Sequence, residues 1–229
     1  MDAQLTPPSP QDTLADLAKC RAGASRVFLR HGLDFCCHGM IPLAEACAKK
    51  GLEPDTLIAE IVAEEKDHDA PEQWEDRPAH ALIEHILLAF HQKHREELPR
   101  LAFMAKKVEA VHADKEACPK GLNAFLEKMT AELEAHMEKE EQILFPAILG
   151  GAGPMVAMPI QVMESEHKDH GKNLEELRRV AFNFEPPEEA CGTWRALYLG
   201  LAELEGEIMR HIHLENYVLF PKVLAGSQA

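Results

Sequence analysis

The sequence predicts an all-α protein, with a small N-terminal helical domain followed by an up-down-up-down four-helix bundle. Three observations predict it. Strong helix formers such as Ala, Leu, Glu and Lys dominate the 229 residues, and only 6% are aromatic. Four long segments, near 79–112, 119–145, 159–183 and 188–220, carry apolar residues at helical spacing. The pattern His-x3-Glu-x3-Leu-Phe-Pro occurs twice, from His136 to Pro146 and from His211 to Pro221, 75 residues apart. Such a repeat marks a duplicated unit.

The elements follow in order. Residues 1–10 are Pro-rich and expected to be loose. Over 11–31, Leu14, Leu17, Val27 and Phe28 outline a helix or two that close near Gly32. A short turn, Asp34-Phe35-Cys36-Cys37-His38-Gly39, bears two adjacent thiols and reads as exposed. Helical pieces follow at 42–50 and 54–65, the second opening on Pro54, whose missing N–H costs nothing in a first turn. The acidic stretch 67–78 holds two prolines and reads as a linker. The domains expected are therefore 1–66, with Cys36 and Cys37, and 79–229, the bundle. Breaks at Pro119-Lys120-Gly121, at 150–154 and at Pro186-Pro187 separate the four long helices, and short connections make sequential neighbours antiparallel. Pro99 is expected to kink or split the first, and Pro146 and Pro221 to close the second and fourth.

Composition narrows function. A net charge of −15 opposes nucleic acid and anionic membrane surfaces, which attract clustered Lys and Arg. No apolar run is long enough to span a bilayer, and 1–10 lacks the marks of a signal peptide. The six cysteines show no Cys-x2-Cys spacing, so they are expected to be reduced thiols of a cytoplasmic protein. Monomer and homodimer are both compatible with this surface.

The metal reading rests on where His and Glu fall. In the fourth segment Trp194, Leu197, Leu201, Leu204 and Ile208 step by 3 and 4, and the rhythm lands on His211, Glu215 and Val218. In the second, Leu122, Leu126, Met129 and Leu133 lead to His136, Glu140 and Ile143. The third runs from Ile160 and Met163 to His167 and His170, and the first from Ile83 and Leu87 to His91 and His94. His and Glu thus occupy core positions at one depth. No Lys or Arg on these seams stands by to neutralise the carboxylates. Imidazole and carboxylate together suit iron, manganese or zinc, so a dinuclear site is expected from His91, His136, Glu140, His167, His211 and Glu215. His94 and His170 remain alternatives, as ligands or as outer hydrogen-bond partners. His31, His68, His80, His85, His112 and His213 read as surface or capping residues, and Glu134, Glu138 and Glu141 as a solvated face. Glu164-x2-His167 matches a ferritin-like spacing, but only this copy lies near a proposed ligand.

These residues carry a likeness. The bundle with His91, His136-x3-Glu140, His167 and His211-x3-Glu215 resembles the hemerythrin-like domain. With 34–39 ahead of it, nearly the whole chain resembles the repair-of-iron-centres family, most specifically at 139–146 and 162–167. That resemblance implies two non-haem iron ions with an oxo-type bridge, carboxylate bridges at Glu140 and Glu215, and terminal histidines at His91, His136, His167 and His211. It also maps a double-cysteine motif onto Cys36 and Cys37, as electron donors or a transfer point. Two departures stand out: Gly171 occupies the place of a second His of the oxygen carriers' third helix, and His38 replaces a small residue after the cysteine pair. The function implied is repair of iron-sulfur proteins damaged by nitrosative or oxidative stress, by donated iron, with an unidentified reductant. Nitric oxide or oxygen scavenging, nitric oxide reduction, and redox sensing are the alternatives.

Overall fold

The computed structural model describes residues 6–67 and 74–226; residues 68–73, which are half of the expected linker and include His68, and the first residues of the Pro-rich start lie outside the described residues. The chain forms two compact units, Met1–Asp76 and Arg77–Ala229.

The N-terminal unit contains α1 (Leu14–Cys20), α2 (Ala24–Arg30), α3 (Leu43–Lys50) and α4 (Pro54–Asp67). Thr13 caps α1 by accepting from the Asp16 N–H at 3.1 Å. Gly23 precedes α2 at φ +81°, and a Cβ there would sit 2.4 Å from Glu64 Cβ, so only glycine lets α2 meet α4 this closely. Leu14, Leu17, Val27, Phe28, Leu43, Leu57 and Ile61 form its core.

The second unit is the bundle. Its first rod joins α5 (Ala79–Ile86) to α6 (Gln92–Val111), and its second joins α7 (Leu122–Lys139) to α8 (Phe145–Leu149). The third rod is α9 (Ala157–Val180), and the fourth joins α10 (Gly192–Leu214) to α11 (Phe220–Gly226). α6 packs on α7 and α10, and α9 packs on the same two, so the four rods close a ring. Trp194, Tyr198, Leu82, Ile86 and Leu98 fill its interior. Among the described residues, no helix is long and apolar enough to cross a membrane.

The joints correct the helix boundaries read from the sequence. Each is a single π turn, at Leu87–His91, Glu140–Leu144 and Glu215–Leu219, closed by an N–H that reaches back five residues. Pro146 and Pro221 follow these turns and do not end their helices. The register already shifts there, so the missing proline N–H removes a bond the wide turn has displaced. The same shift overturns Ile143 as a core residue: Ile143 is 59% exposed, while Leu144 beside it is buried. Pro99 lies within α6, which is not split.

Candidate metal centre

The six side chains singled out in the bundle meet at its centre. His91, Glu140, His211 and Glu215 form one buried group and His136, Glu140, His167 and Glu215 another, each with ligand-capable atoms within 4.8 Å of one another. The two carboxylates belong to both groups. Glu140 sets Oε2 3.3 Å from His91 Nε2 and Oε1 3.2 Å from His136 Nε2. Glu215 sets Oε2 3.1 Å from His167 Nε2 and Oε1 3.4 Å from His211 Nε2. Each carboxylate therefore spans the two groups, one oxygen to each. The π turns contribute directly, because His91 ends one and Glu140 and Glu215 each begin one.

The groups fit metal ions better than they fit one another. All four oxygens of Glu140 and Glu215 are buried and none accepts a hydrogen bond, despite nearby imidazole nitrogens. His91 and His211 bring their Nε2 atoms to 3.2 Å, and His136 and His167 bring theirs to 3.1 Å. Outer partners fix the tautomers. His91 Nδ1 donates to Glu141 at 2.7 Å, His136 Nδ1 to Glu166 at 2.9 Å, and His167 Nδ1 to Asn216 at 2.7 Å. With Nδ1 committed to these acceptors, Nε2 is the nitrogen each ring turns inward, free to offer a lone pair to a cation. A cluster of lone pairs and carboxylate oxygens sealed from water calls for cations.

The electrostatics agree in direction. Burial and mutual repulsion push Glu140 upward, but His136 and His91 hold it below the usual carboxylate range, and the imidazoles do the same for Glu215 against its burial. Burial lowers His136, yet Glu140, Glu215 and Glu166 raise it to about 9. His91 moves up likewise, whereas burial and His91 press His211 well down. The two carboxylates thus stay ionised and draw positive charge to the centre, as protons on His91 and His136 or as cations that displace them.

Several residues depart from their expected places. Glu141 is not part of a solvated face but the acceptor for His91, itself held by Arg95 at 2.7 Å. Glu166 and Asn216, read from the sequence as nothing in particular, are the matching acceptors. His213 is buried rather than at the surface, and His112, the C-cap of α6, is buried as well. His112 follows α6 and packs on Trp194 at 5.1 Å, and His213 lies against Tyr217 at 5.3 Å where α10 is covered on all sides. His94 and His170 are buried beside His211 and His136 at ring distances of 5.4 and 4.8 Å, yet neither joins the two groups. Burial first, then His136 and His167, push His170 down to about 3. The rest of the repeated motif also gains a reason: Phe145 and Phe220 stack on His91 and His167, each at 5.9 Å.

Removing an outer acceptor tests this arrangement. Glu141→Ala and Glu166→Ala are each expected to weaken metal binding about 10–100-fold, read by competition with a chelator. Unchanged affinity in both would contradict it.

In the N-terminal unit Cys36 is buried rather than exposed, and Cys37 is half-buried, with their sulfurs 3.4 Å apart. The Cys37 contact, burial and Asp34 hold the Cys36 thiol well above the usual range. None of the six cysteines is in a disulfide.

Comparison with known proteins agrees with this architecture. Residues 82–223 match the hemerythrin HHE cation binding domain, and residues 10–65 match ScdA_N, a domain of unknown function (DUF542). The iron-sulfur cluster repair proteins YtfE of Escherichia coli O1:K1, of E. coli strain SMS-3-5 and of Escherichia fergusonii are each 46% identical over 213 residues, covering 93% of this chain and 96% of the relative. The chain belongs to the YtfE-type family of iron-sulfur cluster repair proteins, with an ScdA-type N-terminal domain ahead of a hemerythrin cation-binding domain.

Proposed function

We propose that this chain restores iron-sulfur clusters damaged by nitrosative or oxidative stress by donating iron held at the centre of its bundle. The observation that carries the reading is the pair Glu140 and Glu215: sealed from solvent, free of hydrogen bonds, and each facing two imidazoles with separate oxygens. His91 and His211 would hold one iron and His136 and His167 the other, with Glu140 and Glu215 within reach of both. Each ion would be offered four protein donors, fewer than the six of an octahedral shell, so positions would remain for an exchanging ligand. Bound there, the pair supplies iron for rebuilding a cluster.

The chain's own groups set the conditions for that exchange. Glu141, Glu166 and Asn216 keep the Nδ1 protons, so the inward nitrogens remain lone-pair donors. Burial excludes water from the carboxylates and makes the shared charge strongly attractive. Cys36 and Cys37 act as electron donors or as a transfer point, and the reductant comes from outside the chain.

Repair is tested with a cluster enzyme inactivated by nitric oxide and mixed anaerobically with the iron-loaded protein and a reductant. Enzyme activity is expected to return as iron leaves the protein in proportion. Nitric oxide consumed while iron is retained would instead support scavenging, and would overturn donation.

A further inference from the structure

We propose that Asp34, Cys36 and Cys37 form a second, mononuclear metal site, with three donors for a borderline divalent ion such as Fe2+ or Zn2+ and His38 orienting the carboxylate. One ligand-capable atom from each of the three lies within 4.8 Å of the others. Adjacent residues in an extended chain point to opposite sides. Here a turn closed by the Cys36 and Cys37 N–H groups, donating to Asp34 Oδ1 at 3.1 and 2.8 Å, brings both thiols to one side. The loop is anchored at both ends: Leu33 N–H donates to the Phe28 carbonyl and Ala15 N–H to the Gly39 carbonyl, each at 2.8 Å. Phe35 is fully buried and lies 6.0 Å from Phe28 between ring centres. His38 Nδ1 donates to Asp34 Oδ2 at 2.6 Å, the pairing that steadies a ligating carboxylate.

Two sulfurs and one oxygen select borderline ions over Mg2+ or Ca2+, which take all-oxygen shells. Three donors leave a position open, and the Asp34 side chain is 34% exposed, so the site suits exchange rather than permanent structure. Binding releases the two thiol protons to solvent. The proposal does not depend on the bundle centre.

Co2+ titration of the full-length protein tests it, since only thiolate ligation gives a sulfur-to-metal charge-transfer band and the centre of the bundle offers nitrogen and oxygen alone. A band saturating at one ion per chain is expected. It should disappear in Cys37→Ser and in Cys36→Ser, and Asp34→Asn and His38→Ala should weaken binding about 10-fold or more. No band, or a band that survives Cys37→Ser but is lost in Cys191→Ser, would overturn the site. Cys37 and His38 are the more exposed positions, so their variants remain informative if Cys36→Ser fails to fold.

A separate observation distinguishes the two bundle positions. We infer that the ion held by His91 and His211 is released first, an inference that rests on the iron-donor reading. In the repeat, Glu166 precedes His167 as Phe90 precedes His91. Glu166 accepts from His136 Nδ1, but Phe90 stacks flat on His211 at 5.4 Å and 8°, and the buried His211 Nδ1 has no hydrogen-bond partner. His211 is therefore the less basic donor. A groove of about 420 Å³ lined by Arg95, Glu141 and Phe145 also opens beside the acceptor of His91.

Ferrous-loaded protein mixed with a chelator should lose iron in two phases. Phe90→Glu, which supplies the missing acceptor, should slow the fast phase about 10–100-fold, and Glu166→Leu should speed the slow phase toward it. A single phase in the wild type, or a slow phase unmoved by Glu166→Leu, would overturn the inference. Repair activity is not the readout, so this result stands apart from whether the chain repairs clusters.

Discussion

Glu140→Ala combined with Glu215→Ala is expected to abolish metal binding at the bundle centre. Each carboxylate serves both groups, so the double variant strips two donors from each position and leaves two imidazoles apiece. In a Cys37→Ser background, which removes the proposed N-terminal site, elemental analysis should fall from about two ions per chain to near zero. Stability gives an independent reading. A ligand at 100 times its dissociation constant stabilises the folded state by about 2.7 kcal/mol, so wild type should gain several degrees of Tm on loading. The variant should gain none. An ion content that survived both substitutions would place the site elsewhere.

Arg178→Ala should be the most damaging single change remote from the centre. Arg178 pairs through two nitrogens with Glu205, whose side chain is 4% exposed. Removing one partner of a buried pair costs about 3–5 kcal/mol, because a charge is left in the interior. Burial already raises the Glu205 pKa, with Arg178 opposing it, so truncation drives it further up. The sign of the pH dependence follows. A carboxyl with a raised folded pKa binds more protons folded than unfolded, and stability falls as pH rises between the two values. The variant is expected to be weakest near neutral pH and to recover as pH drops toward about 5. Denaturant unfolding at several pH values measures this, and a pH-independent loss would contradict it.

Much of the centre was legible because helical periodicity survives as far as the ligands. Counting by 3 and 4 from Trp194 or Leu122 reaches His211 or His136 while the helix is still regular. Beyond them the π turns insert one residue into the register, which no apolar pattern announces, and Ile143 was misplaced for that reason alone. The outer partners had a signal that went unread. Glu141 and Asn216 directly follow Glu140 and Glu215, so the duplication places an acceptor at the same step in both copies. Glu166 and Phe90 occupy matching steps as well, and there the copies differ in chemistry. His112 and His213 read as surface or capping residues because a lone histidine carries no pattern; His112 does cap α6, and the burial of both depends on Trp194 and Tyr217, which only tertiary packing brings close.

Buried charge explains why such a centre suits metal ions. Two carboxylates are sealed among imidazoles with no hydrogen bond to either, an arrangement that cations would neutralise.

The most direct measurement follows isotopically labelled iron. The protein is loaded with the label, mixed anaerobically with a nitric oxide-damaged cluster protein and a reductant, and the partners are separated for Mössbauer spectroscopy. The account predicts that the label appears in the rebuilt cluster while the donor loses the same amount. A cluster restored with the label still entirely in the bundle would contradict it.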